Sequence, residues 1–235
     1  MKPQLLIIPG WEGSRASWEN FIKLAENDFD VYCLDLPCFG EEPCPDEVWG
    51  VMEYAEFVLK KIKSLNLNRP ILFGHSFGGA IAAYLAANYE SDFSRLILSG
   101  PAIFRRTPSL KKAIYYAFAK SGKFIFSLPL LNKFMGLAKK ILYHLANSDY
   151  NKTSGIKRKI YKRIISQNLS QTVKLINLPT LIVWGEKDGY VPLEQAKKLT
   201  ELIKYSKLEV ISGGKHGLHL QTPERLYGVV KNFID

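Results

Sequence analysis

Ser76 stands at the centre of Gly74-His75-Ser76-Phe77-Gly78, after the apolar run Ile71-Leu72-Phe73 and before a small-residue stretch through Ala82, Ala83, Ala86 and Ala87. A strand that passes into a helix through one tight turn holds a serine hydroxyl clear of the sheet, where it can attack a substrate. The flanking glycines remove side chains that would crowd such a turn, and the serine itself must take a strained backbone conformation. The bare pentapeptide arises by chance in roughly 7 of 100 chains of this length. Its weight comes from the strand before it and the helix after it.

A serine hydroxyl is a weak nucleophile until a base takes its proton, and the base needs an acid to fix its tautomer. The chain has four histidines. His75 adjoins the serine but is expected to point elsewhere on the turn, and His144 lies in a basic segment. His216 and His219 remain, in Gly213-Gly214-Lys215-His216-Gly217-Leu218-His219-Leu220-Gln221-Thr222-Pro223. His216 follows a strand directly and is the expected base; His219 reads as a satisfied structural histidine at the mouth of the last helix. The expected acid is Asp188 in Trp184-Gly185-Glu186-Lys187-Asp188-Gly189-Tyr190-Val191-Pro192, with Glu186 behind it. A turn or helix cap is the plain alternative for Asp188. A tetrahedral intermediate also needs N–H donors, expected from the backbone of Phe77 and of Trp11 in the loop after the first strand. Gly10, His75, Phe104, Phe134 and Val191 are the expected substrate contacts.

The elements that must position these residues alternate regularly. Short apolar strands are expected at Gln4–Ile8, Asp30–Pro37, Ile71–Phe73, Ser94–Ser99, Thr180–Gly185 and Lys207–Ile211. Helices are expected at about Ser17–Glu26, Val48–Leu65, through Ala82–Ala87, Pro192–Ile203 and Pro223–Ile234. Val51, Ala55, Val58, Leu59 and Ile62 recur at helical spacing. Six apolar strands alternating with helices imply a doubly wound, mostly parallel α/β sheet, whose function gathers at the carboxyl ends of the strands. Trp11, Ser76, Asp188 and His216 all fall at those ends.

Composition bounds the rest. The 235 residues suffice for one large domain or for a domain with an insertion, and 47% hydrophobic with 23% charged content suits a globular fold. No apolar run is long enough to cross a bilayer, and Gln4–Ile8 reads as a strand, not as part of a secretion signal; the expected location is cytoplasmic. Cys33, Cys38 and Cys44 form no disulfide framework; a Cys38–Cys44 bridge is the less favoured reading, because nothing else suggests an oxidising compartment. No zinc-type spacing is present, and no metal or cofactor is implied.

The net charge of +10 is local in origin. From Arg105 to Lys174 there are sixteen Lys or Arg and one acid, a net of +15, while the remainder carries sixteen bases against twenty-one acids, a net of −5. Two apolar stripes run through this segment. One comprises Leu130, Leu131, Phe134, Leu137, Ala138, Ile141, Leu142 and Leu145, the other Ile156, Ile160, Ile164 and Ile165, and Tyr115, Tyr116, Phe118, Phe124 and Phe126 add aromatic bulk. The division expected is a core of residues 1–101 and 175–235 with a basic helical lid at 102–174. Helix packing with solvated lysines explains the stripes equally well, but it explains the charge excess less well. An acidic carrier protein or an anionic membrane surface would use that charge. Nucleic acid is not expected, since no recognition motif accompanies it.

Taken together, the chain resembles the α/β-hydrolase superfamily over about 165 residues on both sides of the basic segment. Pro9-Gly10-Trp11 is similar to the family's His-Gly-x segment with Pro9 in place of histidine, and Asp35-Leu36-Pro37-Cys38-Phe39-Gly40 is similar to its Asp-Leu-Pro-Gly-x-Gly loop with Cys38 in place of glycine. Gly74–Gly79, Trp184–Pro192 and His216–Pro223 match the elbow, acid and histidine loops, with Gln221 where an acidic residue is common. The two antiparallel strands that open the family's sheet are not expected here. The order Ser, Asp, His matches the family. The resemblance implies acyl transfer at Ser76, hence hydrolysis of a carboxylic ester or thioester, because the family's epoxide hydrolases and haloalkane dehalogenases carry aspartate at the elbow. Its haloperoxidase-like and carbon–carbon bond hydrolases also use serine. The layout further resembles that of the pimeloyl-carrier-protein methyl ester esterases. The reading of another class is a non-catalytic small-molecule binder on the same scaffold.

Overall fold

A computed structural model describes residues 2–104 and 153–234. The strands are β1 (Gln4–Ile8), β2 (Asp30–Cys33), β3 (Ile71–His75), β4 (Leu96–Ser99), β5 (Thr180–Gly185) and β6 (Ser206–Ile211). The described helices are α1 (Glu19–Ala25), α2 (Val51–Ser64), α3 (Phe77–Asn88), α4 (Gly155–Ser166), α5 (Glu194–Leu202), α6 (Leu218–Gln221) and α7 (Pro223–Ile234). The strands form one sheet in the order β2-β1-β3-β4-β5-β6, and every described pairing is parallel. The chain direction across the sheet reverses between β1 and β3, which opens a crevice at their carboxyl ends.

Strand parity builds the two layers. Leu5, Ile7, Ile71, Phe73, Ile97, Leu181 and Val183 face a cluster with Trp18, Phe21, Leu226 and Val230, contributed by α1, α7 and the 3-10 turn Arg15–Trp18. Leu6, Ile8, Leu72, Leu96, Leu98, Ile182 and Trp184 face α2, α3 and α5. Burial on both faces explains why the central strands read as continuous apolar runs rather than alternating ones. Helix α3 is buried almost all round, and its alanines let it lie close to the sheet. Helix α2 is amphipathic, burying Val51, Tyr54, Ala55, Val58 and Ile62.

Element ends differ from expectation where local chemistry intervenes. β2 stops at Cys33 rather than Pro37, since after Leu34 N–H donates to Ile7 O the chain turns away and Pro37 has no N–H to continue the ladder. Helix α2 starts at Val51, where the Glu53 carboxylate accepts from Gly50 N–H (2.8 Å) and Gln167 Oε1 accepts from Val51 N–H (2.9 Å).

The expectation of unbonded cysteines needs correction: Cys38 and Cys44 form a disulfide, and Cys33 is free. Two turns double the loop back, with Phe39 N–H donating to Leu36 O (2.8 Å), Glu42 N–H to Phe39 O (3.2 Å) and Cys38 N–H to Glu42 O (3.2 Å). Cys38 takes φ 76°, the left-handed conformation that explains why glycine is usual there. Burial pushes the Cys33 thiol up to about 12.

Helix α4 carries the Ile156, Ile160, Ile164, Ile165 stripe of the basic segment. Ile160 and Tyr161 are buried, and part of the positive charge is spent within the chain. Lys157 pairs with Glu12 (3.3 Å), and Arg163 pairs with Glu53 (2.5 Å) and donates to Val48 O, fastening α4 to the start of α2. The stripe from Leu130 to Leu145 and the aromatic cluster at 115–126 lie outside the described residues. Among those residues no helix is long and apolar enough to cross a membrane.

Candidate active site

Ser76 is the single residue between β3 and α3, at φ 52° and ψ −113°. An L-residue rarely adopts this conformation, and here the surrounding backbone enforces it. Ser76 N–H donates to Ser99 O (3.0 Å), and Ser76 O accepts from Ala80 N–H (3.2 Å) and Ala102 N–H (2.9 Å). The loop after β1 passes alongside: a Cβ on Gly10 would lie 3.2 Å from Ser76 Cβ and 3.1 Å from His75 Cδ2. Among the described residues the Trp11 and Phe77 N–H groups have no acceptor. Phe77 heads α3, where the first N–H groups lack intrahelical partners and the helix dipole favours negative charge.

Asp188 and His216 come from the loops after β5 and β6. His216 Nδ1 lies 2.7 Å from Asp188 Oδ2, and the Asp188 side chain is only 1% exposed. Asp188 Oδ1 accepts from Tyr190 N–H and Val191 N–H, both at 2.8 Å. The turn cap and the histidine contact therefore coexist in Asp188, one through each carboxylate oxygen. Since a carboxylate only accepts, His216 Nδ1 carries a proton, which leaves Nε2 available to take one. Gly100 packs against the pair at φ 50°; a Cβ there would lie 3.2 Å from both Asp188 Oδ2 and His216 Nδ1. The Tyr190 ring stacks on His216 at 5.1 Å. Glu186 is placed elsewhere, accepting from Gly213 N–H (2.7 Å) and the Ser212 hydroxyl (3.0 Å), and these bonds hold its carboxyl below the usual range.

His75 differs from expectation. His75 does not point away: its ring lies 4.8 Å from His216 and 4.9 Å from His219, and its Nδ1 donates to Ser99 O at 2.9 Å. As the last residue of β3 it shares a face with Ile71 and Phe73, which turns it towards Trp18. Burial, with His216 and His219 adding to it, holds His75 well below the usual imidazole range. His219 is buried and stacks on Trp18 at 4.1 Å, as suits a structural histidine, and its Nδ1 has no partner among the described residues. Burial, aided by His216, lowers it to about 4.

Ser76 and His216 open into one cavity of about 540 Å³, also lined by Gly10, Trp11, Phe77, His75 and Phe104. Tyr161, Ile164 and Ile165 of α4 form part of its wall, and Tyr161 meets the Trp11 ring edge-on at 5.0 Å. Val191, expected as a substrate contact, does not line the cavity. Its side chain is buried in the core, and its backbone serves Asp188 and accepts from Trp184 Nε1–H (3.0 Å). Phe134 lies outside the described residues. Sequence reasoning missed Gly100, Tyr161 and Tyr190. Tyr161 has a helical signal, sitting four residues before Ile165 on the apolar stripe; Gly100 had only its place after a strand.

Comparison with known proteins agrees with this architecture. A family model described as the alpha/beta hydrolase fold matches residues 3–223. The pimeloyl-[acyl-carrier protein] methyl ester esterase of Wigglesworthia glossinidia brevipalpis is 27% identical over 253 residues, covering 98% of this chain and 93% of that protein. Epoxide hydrolase 4 of Mus musculus is 26% identical over 267 residues, covering 99% and 73%. The crystal structure of a bromoperoxidase from Bacillus anthracis superposes with a TM-score of 0.76 at 24% identity, covering 100% and 92%. With the family pattern running along most of the sequence and its sheet, elbow and loops in the same order, this chain belongs to the alpha/beta hydrolase fold family.

Proposed function

We propose that the protein hydrolyses carboxylic esters through an acyl-enzyme at Ser76. His216 Nε2 takes the Ser76 hydroxyl proton as Oγ attacks the ester carbonyl, and Asp188 holds the imidazole and stabilises the imidazolium that forms. The carbonyl oxygen, now an oxyanion, accepts from the Trp11 and Phe77 N–H groups. Collapse breaks the C–O bond, and His216 returns the proton to the leaving alcohol. Water then repeats the sequence on the acyl-enzyme, freeing the acid and Ser76. The observation that carries this reading is the 2.7 Å His216–Asp188 contact opening, with Ser76, into one cavity.

Chemistry at the nucleophile separates this reading from the activity printed for epoxide hydrolase 4. A carboxylate that opens an epoxide leaves an ester, which water can cleave; a serine hydroxyl would leave an ether, which it cannot. Ser76 therefore supports acyl transfer. A substrate tethered to an acidic carrier is a second reading, supported by the likeness to the methyl ester esterase and by the +15 net charge of residues 105–174. The test is turnover of short 4-nitrophenyl esters by wild type and Ser76→Ala. Hydrolysis that disappears in the variant is expected, and undiminished hydrolysis would rule the mechanism out. Activity confined to carrier-bound esters and falling steeply with moderate salt would favour the second reading.

A further inference from the structure

The cavity wall is chemically mixed. Trp11, Phe104, Tyr161, Ile164 and Ile165 line it with apolar side chains, and Lys187, Lys215 and His216 line it too. These lysines come from the two loops that carry Asp188 and His216, joined where Lys187 N–H donates to Gly214 O (2.7 Å). Both side chains are exposed, and neither ammonium has an ion-pair or hydrogen-bond partner among the described residues. The acids nearby are otherwise engaged. Glu12, the one acid in the described wall, is paired with Lys157, and Glu186, near Lys187, is held by Ser212 and Gly213. Gln221 is neutral, and its Oε1 accepts from Lys215 N–H (3.3 Å).

The direction of the reaction decides which part of a substrate meets this charge. The leaving oxygen must collect its proton from His216, so the leaving group lies on the His216 side and the acyl chain on the other. We infer that the preferred substrate is an ester whose leaving alcohol carries an anion, a phosphate or a carboxylate, held by Lys187 and Lys215, with an apolar acyl chain against Trp11, Tyr161 and Ile164. This rests on the acyl-enzyme reading above. An ammonium is a compact point charge suited to phosphate, and two of them at the cavity mouth select for charge rather than for one geometry.

The test compares two matched pairs with one acyl chain: 4-nitrophenyl butanoate against 3-carboxy-4-nitrophenyl butanoate, and 1-butanoylglycerol against 1-butanoylglycerol 3-phosphate. Each rate is corrected for its hydroxide-catalysed hydrolysis. Wild type at low salt is expected to favour the anionic member of at least one pair by about tenfold in kcat/KM, the scale of two exposed charge contacts. Preference in one pair alone identifies phosphate or carboxylate as the anion. The ratio within a variant cancels any general loss of activity; it should fall to about one in Lys187→Gln/Lys215→Gln and below one in Lys187→Glu/Lys215→Glu. On the unmodified enzyme it should also shrink as salt rises from low to moderate. Equal turnover of both members by wild type, or a preference that survives charge reversal, overturns the inference while leaving the esterase reading intact. No turnover of any of the four overturns the inference, and labelling of Ser76 by a fluorophosphonate then decides whether the acyl-enzyme reading falls with it.

Discussion

Gly100→Ala isolates the contact on which the proposed base depends. Gly100 has φ 50°, and the new methyl would lie 3.2 Å from Asp188 Oδ2 and from His216 Nδ1 and 3.3 Å from His216 Cε1. Two costs follow. Forcing an alanine into the left-handed region costs about 1–2 kcal/mol, which for a chain of this size lowers Tm by roughly 2–8 °C. The methyl also pushes the imidazole by a few tenths of an ångström. Displacements approaching 1 Å cost about a hundredfold in rate, so kcat should fall on the order of tenfold, with KM little changed because the acyl wall is untouched. Gly213→Ala is the matched control. Its φ of 71° imposes a similar backbone cost, yet a Cβ there has nothing within 4 Å. Steady-state kinetics on a 4-nitrophenyl ester with thermal melts of both variants separate the terms. Both should lose stability, and only Gly100→Ala should lose kcat. A kcat within twofold of wild type for Gly100→Ala would refute the idea that Gly100 positions the pair.

Other outcomes follow from the same contacts. Asp188→Asn should lower kcat by about 10²–10⁴-fold, whereas Glu186→Gln should stay within a few-fold; equal losses would mean the wrong carboxylate has been assigned. Thiol titration of the unfolded, unreduced protein should count one free cysteine, Cys33, rising to three after reduction, and three before reduction would contradict the bridge. His219 titrates near 4 when folded and near 6.5 when unfolded. The unfolded state therefore binds more protons in this window, so no penalty exists above pH 6.5 and stability falls as pH drops towards 4, by roughly 3 kcal/mol at most. Tm between pH 7 and pH 5 should fall less steeply in His219→Gln than in wild type, and parallel falls would refute the assignment.

The sheet was legible because its central strands are buried on both faces, so runs such as Leu5–Ile8 and Leu181–Trp184 announce themselves without alternation. The loops after β5 and β6 were legible because Asp188 and His216, the expected acid and base, each lie within a few residues of a strand's end. The orientation of His75 was also within reach, since strand parity sets it on the face of Ile71 and Phe73; reading it as a turn residue hid this. The Cys38–Cys44 bridge was the less favoured reading because nothing else in the sequence suggested an oxidising compartment, while the fact that matters is local: two tight turns bring the sulfurs together. Arg163 with Glu53 and Gln167 with Val51 join residues more than a hundred positions apart. No local pattern encodes such pairs, so the basic segment looked wholly available to a partner when part of it clamps α4 to α2.

The central claim is that Ser76 becomes acylated. Its most direct test is mass spectrometry of the protein quenched during turnover of 4-nitrophenyl butanoate, and of the protein treated with a fluorophosphonate, each followed by peptide mapping. The account predicts a single butanoyl or phosphonyl adduct on Ser76 that His216→Ala accumulates far more slowly. Turnover with no adduct, or an adduct on another residue, would contradict it.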